Sequence, residues 1–242
     1  MKKITLLLFL CISLNTIAEQ SLFKKANTAY VNDSITKAIA LYDSILARER
    51  ESSELYYNLG NCYYKNKDWA NAIWHYEKSL QLTNNEQAKE NLPLTKLKII
   101  DRIEALPQLF YKKWWIGAQE LLNTNHWQYL AILSIFLALF FGLLNKLLNK
   151  NTEKYYIFFL TIALPLLLIS SSSYQNKIAK KEGIIFSSAV VINSAPTANS
   201  TELFTLHSGT KLEITDKIGD WIHIKIANGD SGWILQNLVK EL

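Results

Sequence analysis

The side chains that most often carry catalysis or bind metals are few in this chain and widely separated. Its histidines and cysteines are His75, His126, His207, His223, Cys11 and Cys62. None of them belongs to a His-Glu-x-x-His or Cys-x-x-Cys pattern, the spacing typical of zinc sites. The sequence also has no phosphate-binding glycine loop and no Gly-x-Ser-x-Gly turn around a nucleophile. It therefore predicts a protein that is not an enzyme and that needs no metal or cofactor.

Small and aromatic side chains instead recur at a fixed spacing of 34 residues. The matching pairs are Ala26 and Gly60, Tyr30 and Tyr64, Ala38 and Ala72, and Tyr42 and Tyr76. Two helices of a hairpin need small residues where they approach closely, and aromatic rings fill the groove beside them. The spacing predicts tetratricopeptide helix pairs, which usually form a concave surface that binds another protein. A simple helical spacer is the alternative.

The second copy resembles the tetratricopeptide repeat (TPR) family at the positions that define its packing. These positions are Tyr56, Leu59, Gly60, Tyr63, Ala72 and Tyr76. The first copy is weaker, with Ala29 at the position of Tyr63. Because short repeat stacks need a cap, the helical spacing of apolar residues over 86–105 predicts a further helix, kinked by Pro93. We expect the repeats and this capping helix to occupy residues 19–105.

Amide and aromatic side chains are expected to line the groove of the repeats. Counting from the small residue of each first helix gives Phe23, Asn27, Tyr30, Tyr57, Asn58, Asn61 and Tyr64 as the inward-facing positions. Such side chains suit a peptide backbone with apolar side chains, so a protein partner is expected. TPR proteins that clamp a C-terminal carboxylate place lysines beside such asparagines. Phe23, Ala88 and Leu92 occupy those positions here, so a carboxylate clamp is not expected.

The N-terminal segment has the parts of a secretory signal peptide. Basic residues precede an apolar run from Ile4 to Leu14, and Thr16 and Ala18 stand at the positions that determine cleavage. We expect a signal peptide over residues 1–18, cut after Ala18. Cys11 lies inside the apolar run behind a bulky residue, whereas a lipid-acceptor cysteine normally follows a small one. Lipidation is therefore not expected.

Two later segments are long and apolar enough to cross a bilayer. We expect transmembrane helices over residues 127–148 and 155–174, joined by a short cytoplasmic loop at 149–154. An exported N-terminus followed by two crossings leaves both flanking domains on the outer side of a bacterial inner membrane, in the periplasm. The signal peptide carries most of this assignment, because lysines flank both ends of the spans.

An amphipathic segment precedes the first span, at residues 106–126. Leu106, Phe110, Trp114, Gly117 and Leu121 fall on one helical stripe, and tryptophan and tyrosine favour the head-group zone of a membrane. The stripe predicts a helix that lies on the outer leaflet. An equal alternative is that the stripe packs back onto the last helix of the repeats.

The distribution of charge excludes nucleic acid as a partner. The chain carries a formal charge of +5, but residues 19–106 contain equal numbers of acidic and basic side chains, and residues 183–242 are net acidic. The excess of lysine lies in the signal peptide and beside the spans, where it meets lipid head groups. No basic surface interleaved with aromatic residues is present, as nucleic-acid binding would need.

After the spans, the pattern changes to short apolar runs separated by turns. The runs are Ala189–Ile192, Lys211–Ile214, Trp221–Ile226 and Gly232–Leu235. Five or six short strands in this length predict a small all-β barrel. Residues 183–242 resemble a bacterial SH3-type domain through Asp220-Trp221-Ile222-His223-Ile224, Asn228-Gly229 and Gly232-Trp233-Ile234. The resemblance implies binding of a cell-wall ligand, such as peptidoglycan or a peptide, or of a protein.

Strand alternation divides the barrel residues between core and surface. Trp221 and His223 share one face and the isoleucines between them share the other, so Trp221 and His223 are the expected ligand contacts. In the last apolar run, Trp233 and Leu235 are expected to point inward. Trp233 is thus predicted to be mainly structural.

The order of these segments resembles the TPR protein of the Bacteroides aerotolerance (Bat) operons over nearly the full chain. The match is strengthened by Asp101-Arg102-Ile103-Glu104-Ala105-Leu106-Pro107 and by Trp114-Trp115. It implies a scaffold that acts with von Willebrand-type membrane proteins and a MoxR-like ATPase in envelope stress tolerance. The alternative is a transport or channel component built on the two spans, which only the Ser170–Ser173 run supports. A sensor is the third option, but it would need a larger cytoplasmic segment.

Overall fold

The computed structural model describes residues 21–122, 124–148 and 151–242. The predicted signal peptide at 1–18 and its cleavage site lie outside these residues. The chain forms two compact units. One unit joins the described chain up to Glu104 to Glu182–Leu242, and the other is Ala105–Lys181.

Five helices form a stack of helix pairs in the first unit, called the repeat stack below. They are α1 (21–31), α2 (Ile35–Leu46), α3 (Ser53–Lys65), α4 (Trp69–Leu82) and α5 (Glu86–Lys96). Side-chain caps fix where three of them begin, because Ser52, Asp68 and Asn85 each accept a hydrogen bond from a backbone N–H three residues later. The pairs α1–α2 and α3–α4 are the two predicted repeats, and α5 caps the second.

The small residues of the 34-residue period are buried where the paired helices meet. Ala26, Ala38 and Ala72 are fully buried. Gly60 is buried too, and a Cβ atom there would lie 2.5 Å from the ring of Tyr76. Because only a hydrogen fits at that point, the glycine sets how closely α3 approaches α4. The period in the sequence is therefore a packing requirement.

The helix predicted over residues 86–105 is shorter than expected. It ends at Lys96, with Pro93 inside its second half, and residues 101–109 have no regular structure. The apolar residues after Lys96 that follow the helical spacing make tertiary contacts instead. Ile99 packs on the core of the second repeat, and Ile103 packs on the core of the sheet described next. Tertiary contacts thus override a local helical preference.

The C-terminal part of this unit is a seven-stranded sheet, called the sheet domain below. Its strands are β1 (Lys181–Ile185), β2 (Ala189–Asn193), β3 (Glu202–His207), β4 (Lys211–Ile218), β5 (Trp221–Lys225), β6 (Ser231–Leu235) and β7 (Val239–Glu241). The strand order is β3-β2-β6-β5-β4-β1-β7. Alternate residues, among them Ile192, Ile222, Ile224 and Ile234, form one buried core. This confirms the predicted all-β domain. The four predicted apolar runs correspond to strands β2, β4, β5 and β6.

The repeat stack and the sheet domain share an interface that the sequence did not predict. Ile184 of β1 is fully buried in the same cluster as Ile73, Trp74 and Tyr76 of α4. Gly209 allows the sheet domain to approach the segment after α5 closely, since a Cβ atom there would lie 2.5 Å from the Ile99 side chain. The two folds therefore form one hydrophobic body, whose shared surface we call the stack–sheet interface.

Asp101 makes one of the polar contacts that surround the apolar part of the stack–sheet interface. Its Oδ2 accepts hydrogen bonds of 2.6 Å from the His207 backbone N–H and from the Thr210 hydroxyl, and its Oδ1 lies 2.7 Å from His207 Nδ1. Burial alone would raise the pKa of Asp101, but these bonds outweigh burial and hold the pKa below its usual value. The carboxylate therefore stays ionised and holds the start of β4 and the end of β3.

A second set of charges joins α4 to the sheet. The Glu77 carboxylate lies 2.9 Å from both Lys96 Nζ and Lys211 Nζ, and Lys211 also pairs with Glu182 at 2.7 Å. Burial opposes ionisation of Glu77, yet the two lysines outweigh it and lower the pKa of Glu77. The nearby Trp74 Nε1–H donates to the Glu241 backbone carbonyl at 3.0 Å. The interface is thus apolar at its centre and charge-paired around it.

The second unit consists of three helices, α6 (Phe110–Glu120), α7 (Thr124–Leu148) and α8 (Glu153–Ala179). Helices α7 and α8 pack antiparallel, with small residues such as Ala131, Ala138 and Ala163 buried between them. By length and composition, Thr124–Leu147 and Glu153–Gln175 can cross a membrane. Only 17% and 11% of their most apolar windows are buried, which is unlike the core helix of a water-soluble domain.

Helix α6 packs against α8 through polar contacts. Ser172 accepts hydrogen bonds from Trp115 Nε1 at 3.0 Å and from Gln119 Nε2 at 2.8 Å, and Ser173 pairs with Thr124 at 2.8 Å. The serine run near the end of α8 therefore has a packing role. The opposite stripe of α6 is open, because Phe110, Trp114 and Leu121 are exposed within this unit.

Replacing Asp101 by Ala should destabilise the unit that contains both folds. The change leaves the His207 N–H and the Thr210 hydroxyl without their acceptor, which costs about 3 kcal/mol of unfolding free energy. Urea unfolding of the full chain in detergent micelles, followed by tryptophan fluorescence, measures the loss. The matched control is Asp216→Ala on the exposed part of β4, which should change stability by no more than about 0.5 kcal/mol. Equal stability of the two variants would contradict a structural role for Asp101.

Candidate functional site

The seven residues predicted for the groove lie on the first helices of the two repeats. Phe23, Asn27, Tyr30, Tyr57, Asn58, Asn61 and Tyr64 are all half-buried, on α1 and α3. Hydrogen bonds link Asn27 and Asn58 across α1 and α3, and Asn61 to Asn91 across α3 and α5. The structure thus brings these residues together on one surface, which we call the groove.

Two matching hydrogen-bond networks run through the groove. The Tyr42 hydroxyl donates to Asn27 Oδ1 at 2.5 Å, and Asn58 Nδ2 donates to the same oxygen at 3.4 Å. One repeat later, the Tyr76 hydroxyl donates to Asn61 Oδ1 at 2.6 Å, and Asn91 Nδ2 donates to that oxygen at 3.1 Å. Each network ties the second helix of a repeat to the first helices of two repeats.

Asn61 was predicted only as a groove residue, but it also has a packing role. It accepts two hydrogen bonds, one of them from Tyr76, which is almost completely buried. Burial raises the pKa of the Tyr76 and Tyr42 hydroxyls, so both remain protonated donors. The sequence carried a signal for this pairing, because the asparagine and the tyrosine recur together at the 34-residue period.

Aromatic rings line the rest of the groove. Phe23 packs edge-on against Tyr42, and Tyr57 lies 6.1 Å from Tyr76 between ring centroids. The Lys65 ammonium lies over the Tyr30 ring at 4.5 Å. The same ammonium pairs with an aspartate at 3.1 Å, so this charge is compensated. The groove therefore offers amides and aromatic rings, and Lys24, Lys25 and Lys37 line the same cavity as Phe23 and Asn27 at its α1 end.

The sheet domain presents a second cluster of aromatic side chains on its outer face. Trp221 and His223 of β5 are half-buried, whereas Ile222 and Ile224 are fully buried. His223 Nδ1 lies 2.6 Å from the hydroxyl of Thr215 on β4. The structure thus places both predicted ligand contacts on the outer face, which we call the outer sheet face.

Trp233 belongs to the same outer sheet face, although it was expected to point into the core. Its backbone pairs with His223, and the two rings lie 5.0 Å apart. Gly232 is the reason, because a Cβ atom there would lie 2.5 Å from Ile192 in the core. An inward Gly232 puts Ile234 inward and Trp233 outward by strand alternation. We predicted that Leu235 would point into the core, but Ile234 is the buried core residue of this strand.

The residues that could carry chemistry do not converge. Within the described parts of the chain, no three His, Cys, Asp or Glu side chains form a cluster that could hold a metal ion. Burial raises the pKa of the Cys62 thiol to about 12, which leaves it protonated and unreactive. His75 is buried against Tyr63, and His207 is bound to Asp101. None of these side chains forms a nucleophile–base pair.

Comparison with known families assigns the two modules. A family model of the bacterial SH3 domain matches residues 188–240, and one of the tetratricopeptide repeat matches residues 53–83. No curated protein matches the chain closely enough to add to these two matches. The chain thus contains a TPR repeat and a bacterial SH3 domain. Both are similar to modules that bind other molecules, and this fits the groove and the outer sheet face described above.

Replacing Asn61 by Ala should destabilise the repeat stack. The buried Tyr76 hydroxyl would lose its acceptor, which costs about 1–3 kcal/mol of unfolding free energy. The double variant Asn61→Ala with Tyr76→Phe removes both partners and should recover part of the loss. Urea unfolding of the full chain in micelles measures both effects. The control is Asn84→Ala at an exposed position, which should be nearly neutral. A neutral Asn61→Ala would show that the network adds no stability.

The buried His75 predicts a loss of stability in mild acid. Burial lowers its pKa to about 4, below the usual 6.5 of an unfolded chain. The unfolded state therefore takes up the proton first, so the stabilisation is complete above pH 6.5 and is lost as the pH falls to 4. The loss over this window is about 3 kcal/mol.

His75→Phe keeps a ring at this position and removes the titration. Between pH 6.5 and 4, the wild-type chain should lose about 3 kcal/mol more unfolding free energy than His75→Phe. Denaturation in urea at each pH, read by tryptophan fluorescence, gives the difference. His126→Phe alters an exposed histidine and should follow the wild type. Parallel curves for wild type and His75→Phe would rule out this source of acid sensitivity.

Proposed function

We propose that this chain is a non-enzymatic scaffold of the bacterial inner membrane that binds other envelope proteins. One observation carries the proposal. The stack–sheet interface uses α4 and the segment after α5, together with strands β1, β3, β4 and β7. The hydrogen bonds and ion pairs of this interface use none of the seven groove residues and none of the outer-face residues, although Tyr57 and Tyr64 pack against the same apolar cluster from the groove side. The two modules are therefore joined while both candidate binding surfaces stay available.

The groove is the proposed site for a protein partner. Its amides and aromatic rings match a peptide with apolar side chains. The resemblance to the Bat operon proteins supports von Willebrand-type membrane proteins of the same operon as partners. It also supports a role in aerotolerance and envelope stress.

The outer sheet face is the proposed site for a wall ligand. Trp221 and His223 would contact peptidoglycan or a peptide, with Trp233 beside them. The bacterial SH3 match at residues 188–240 supports such a ligand class. The alternative of a transport component has less support, because the serine run that favoured it forms hydrogen bonds to α6 and α7.

The proposed topology places both modules in the periplasm, with the signal peptide removed and residues 149–154 in the cytoplasm. The stack–sheet interface supports this arrangement, because the two modules must lie on one side of the membrane to touch. Two crossings between them, by α7 and α8, satisfy that requirement.

Cysteine labelling tests the topology. In cells with a permeabilised outer membrane, Asn199→Cys on an exposed loop of the sheet domain should react with a membrane-impermeant maleimide. Asn151→Cys, beside the start of α8, should react only after the inner membrane is opened. The parent chain is the background control, since its Cys62 is buried. Labelling of Asn151→Cys alone in unopened cells would contradict the topology.

Crosslinking from membranes tests the function of the groove. Asn58→Arg should fill the groove without removing the acceptor of Tyr42, so it should abolish crosslinked partners while preserving the melting temperature. Asn84→Arg places the same charge at an exposed position outside the groove and should leave the partners in place. In parallel, Trp221→Ala should reduce co-sedimentation with purified peptidoglycan. Unchanged partners with Asn58→Arg would reduce the repeat stack to a spacer.

A further inference from the structure

We propose that helix α6 docks on the surface of the phospholipid bilayer through one open stripe of its side chains. The stripe consists of Phe110, Trp114, Gly117 and Leu121. This inference rests on the proposed crossing of the membrane by α7 and α8, and it adds a surface contact with the same bilayer. The sequence left two positions open for this stripe, the outer leaflet and the last helix of the repeat stack. The contacts of α6 within its own unit favour the leaflet.

Hydrogen bonds attach α6 to the end of the membrane-crossing helices. Trp115 Nε1 and Gln119 Nε2 both donate to the Ser172 hydroxyl of α8. That serine lies in the last turn of Glu153–Gln175, one of the two segments that can cross a membrane. Helix α6 also ends shortly before Thr124, where the other such segment begins. Both segments therefore meet α6 at one level, where a span leaves the hydrocarbon region.

A further contact fixes how α6 is turned about its axis. Trp127 of α7 is buried, and its Nε1–H donates to the Gln119 backbone carbonyl at 3.2 Å. With Gln119 held between α7 and α8, helical geometry puts the stripe on another side of α6. The exposed fractions of Phe110, Trp114 and Leu121 are 69%, 74% and 75%. The contacts that fix α6 thus leave its most apolar side uncovered within the unit.

The stripe is aromatic and open along its length. Phe110 and Trp114 pack edge to face with ring centroids 5.7 Å apart, and Tyr111 packs on the other side of Phe110. Within the described parts of the chain, a Cβ atom added to Gly117 would meet no other group within 4 Å. Water is a poor environment for such a surface, whereas indole and phenol rings are favoured at the level of lipid head groups. A bilayer surface is therefore the occupant that suits this stripe.

The charged side chains near the start of α6 complement this surface. Lys112 and Lys113 are exposed, and among the described residues no salt bridge uses either of them. At about 100° per residue, Lys113 lies beside the stripe and Lys112 lies on the side away from it. A lysine beside an apolar stripe can extend its ammonium group to the phosphates that every phospholipid carries. Helix α6 thus has the two faces of a helix that lies in a membrane interface.

Electron paramagnetic resonance of the full chain in vesicles of phosphatidylethanolamine and phosphatidylglycerol tests the docking. A nitroxide is attached to Gly117→Cys, where space is open, or to Lys112→Cys as the matched control on the other side of α6. Cys62 is buried, and the signal of the unmodified chain is subtracted. Power saturation compares collisions with oxygen, which concentrates in lipid, and with a neutral nickel chelate, which stays in water. The ratio of oxygen to nickel accessibility should be at least about fivefold higher at position 117 than at position 112.

Removing the aromatic part of the stripe should release the helix. Phe110→Gln with Trp114→Gln keeps the hydrogen bonds to Ser172, and the ratio at position 117 should fall to within about twofold of the ratio at position 112. The matched control is Leu94→Gln with Leu97→Gln, which changes two exposed apolar residues of the repeat stack and should leave the ratio unaltered.

Two results would overturn the proposal. A nitroxide at position 117 that nickel reaches readily would show that the stripe faces water. One that neither oxygen nor nickel reaches would show that a protein surface covers the stripe. A nitroxide at Phe136→Cys, exposed near the middle of α7, separates these failures from a wrong membrane assignment. High oxygen accessibility there would confine the failure to α6, whereas high nickel accessibility there would refute the proposed crossing itself.

Discussion

The contact between the repeat stack and the sheet domain is the constraint on which the rest of the structure depends. Two modules that are far apart in sequence share one apolar cluster, in which Ile184 of β1 packs with Trp74 of α4. Asp101 then binds the end of β3 and the start of β4. Helices α6, α7 and α8 lie between these modules in the sequence, so the interface brings two distant parts of the chain into one compact unit.

The charges of the interface explain why the modules meet in one arrangement. A purely apolar surface would tolerate sliding, but a buried carboxylate between two lysines does not. Displacing the sheet domain would remove Lys211 of β4 and leave Glu77 desolvated with Lys96 of α5 as its remaining partner. Breaking such a pair costs more than the pair contributes to stability, so its main effect is to penalise other arrangements. The fixed arrangement keeps the groove and the outer sheet face uncovered by the interface.

Local patterns in the sequence were sufficient to predict the helices and strands but not the contacts between them. The 34-residue period predicted the helix pairs, because Gly60 and Ala72 are needed wherever two helices approach closely. Strand alternation placed Trp221 and His223 on the outer sheet face. The same reasoning failed for Trp233, where the core contact of Gly232 decides the face, and for the helix over 86–105. That helix ends early because Ile103 packs on the sheet domain, a partner that no local pattern reveals.

The asparagine–tyrosine networks show how one amide side chain can hold several helices of the repeat stack together. Asn61 of α3 accepts hydrogen bonds from Tyr76 of α4 and Asn91 of α5, so one amide oxygen joins three helices. Such sharing has a physical advantage. A groove amide held by a buried tyrosine has lost its rotational freedom during folding, so a ligand does not bear that entropic cost. An amide oriented in this way is a preorganised hydrogen-bonding group.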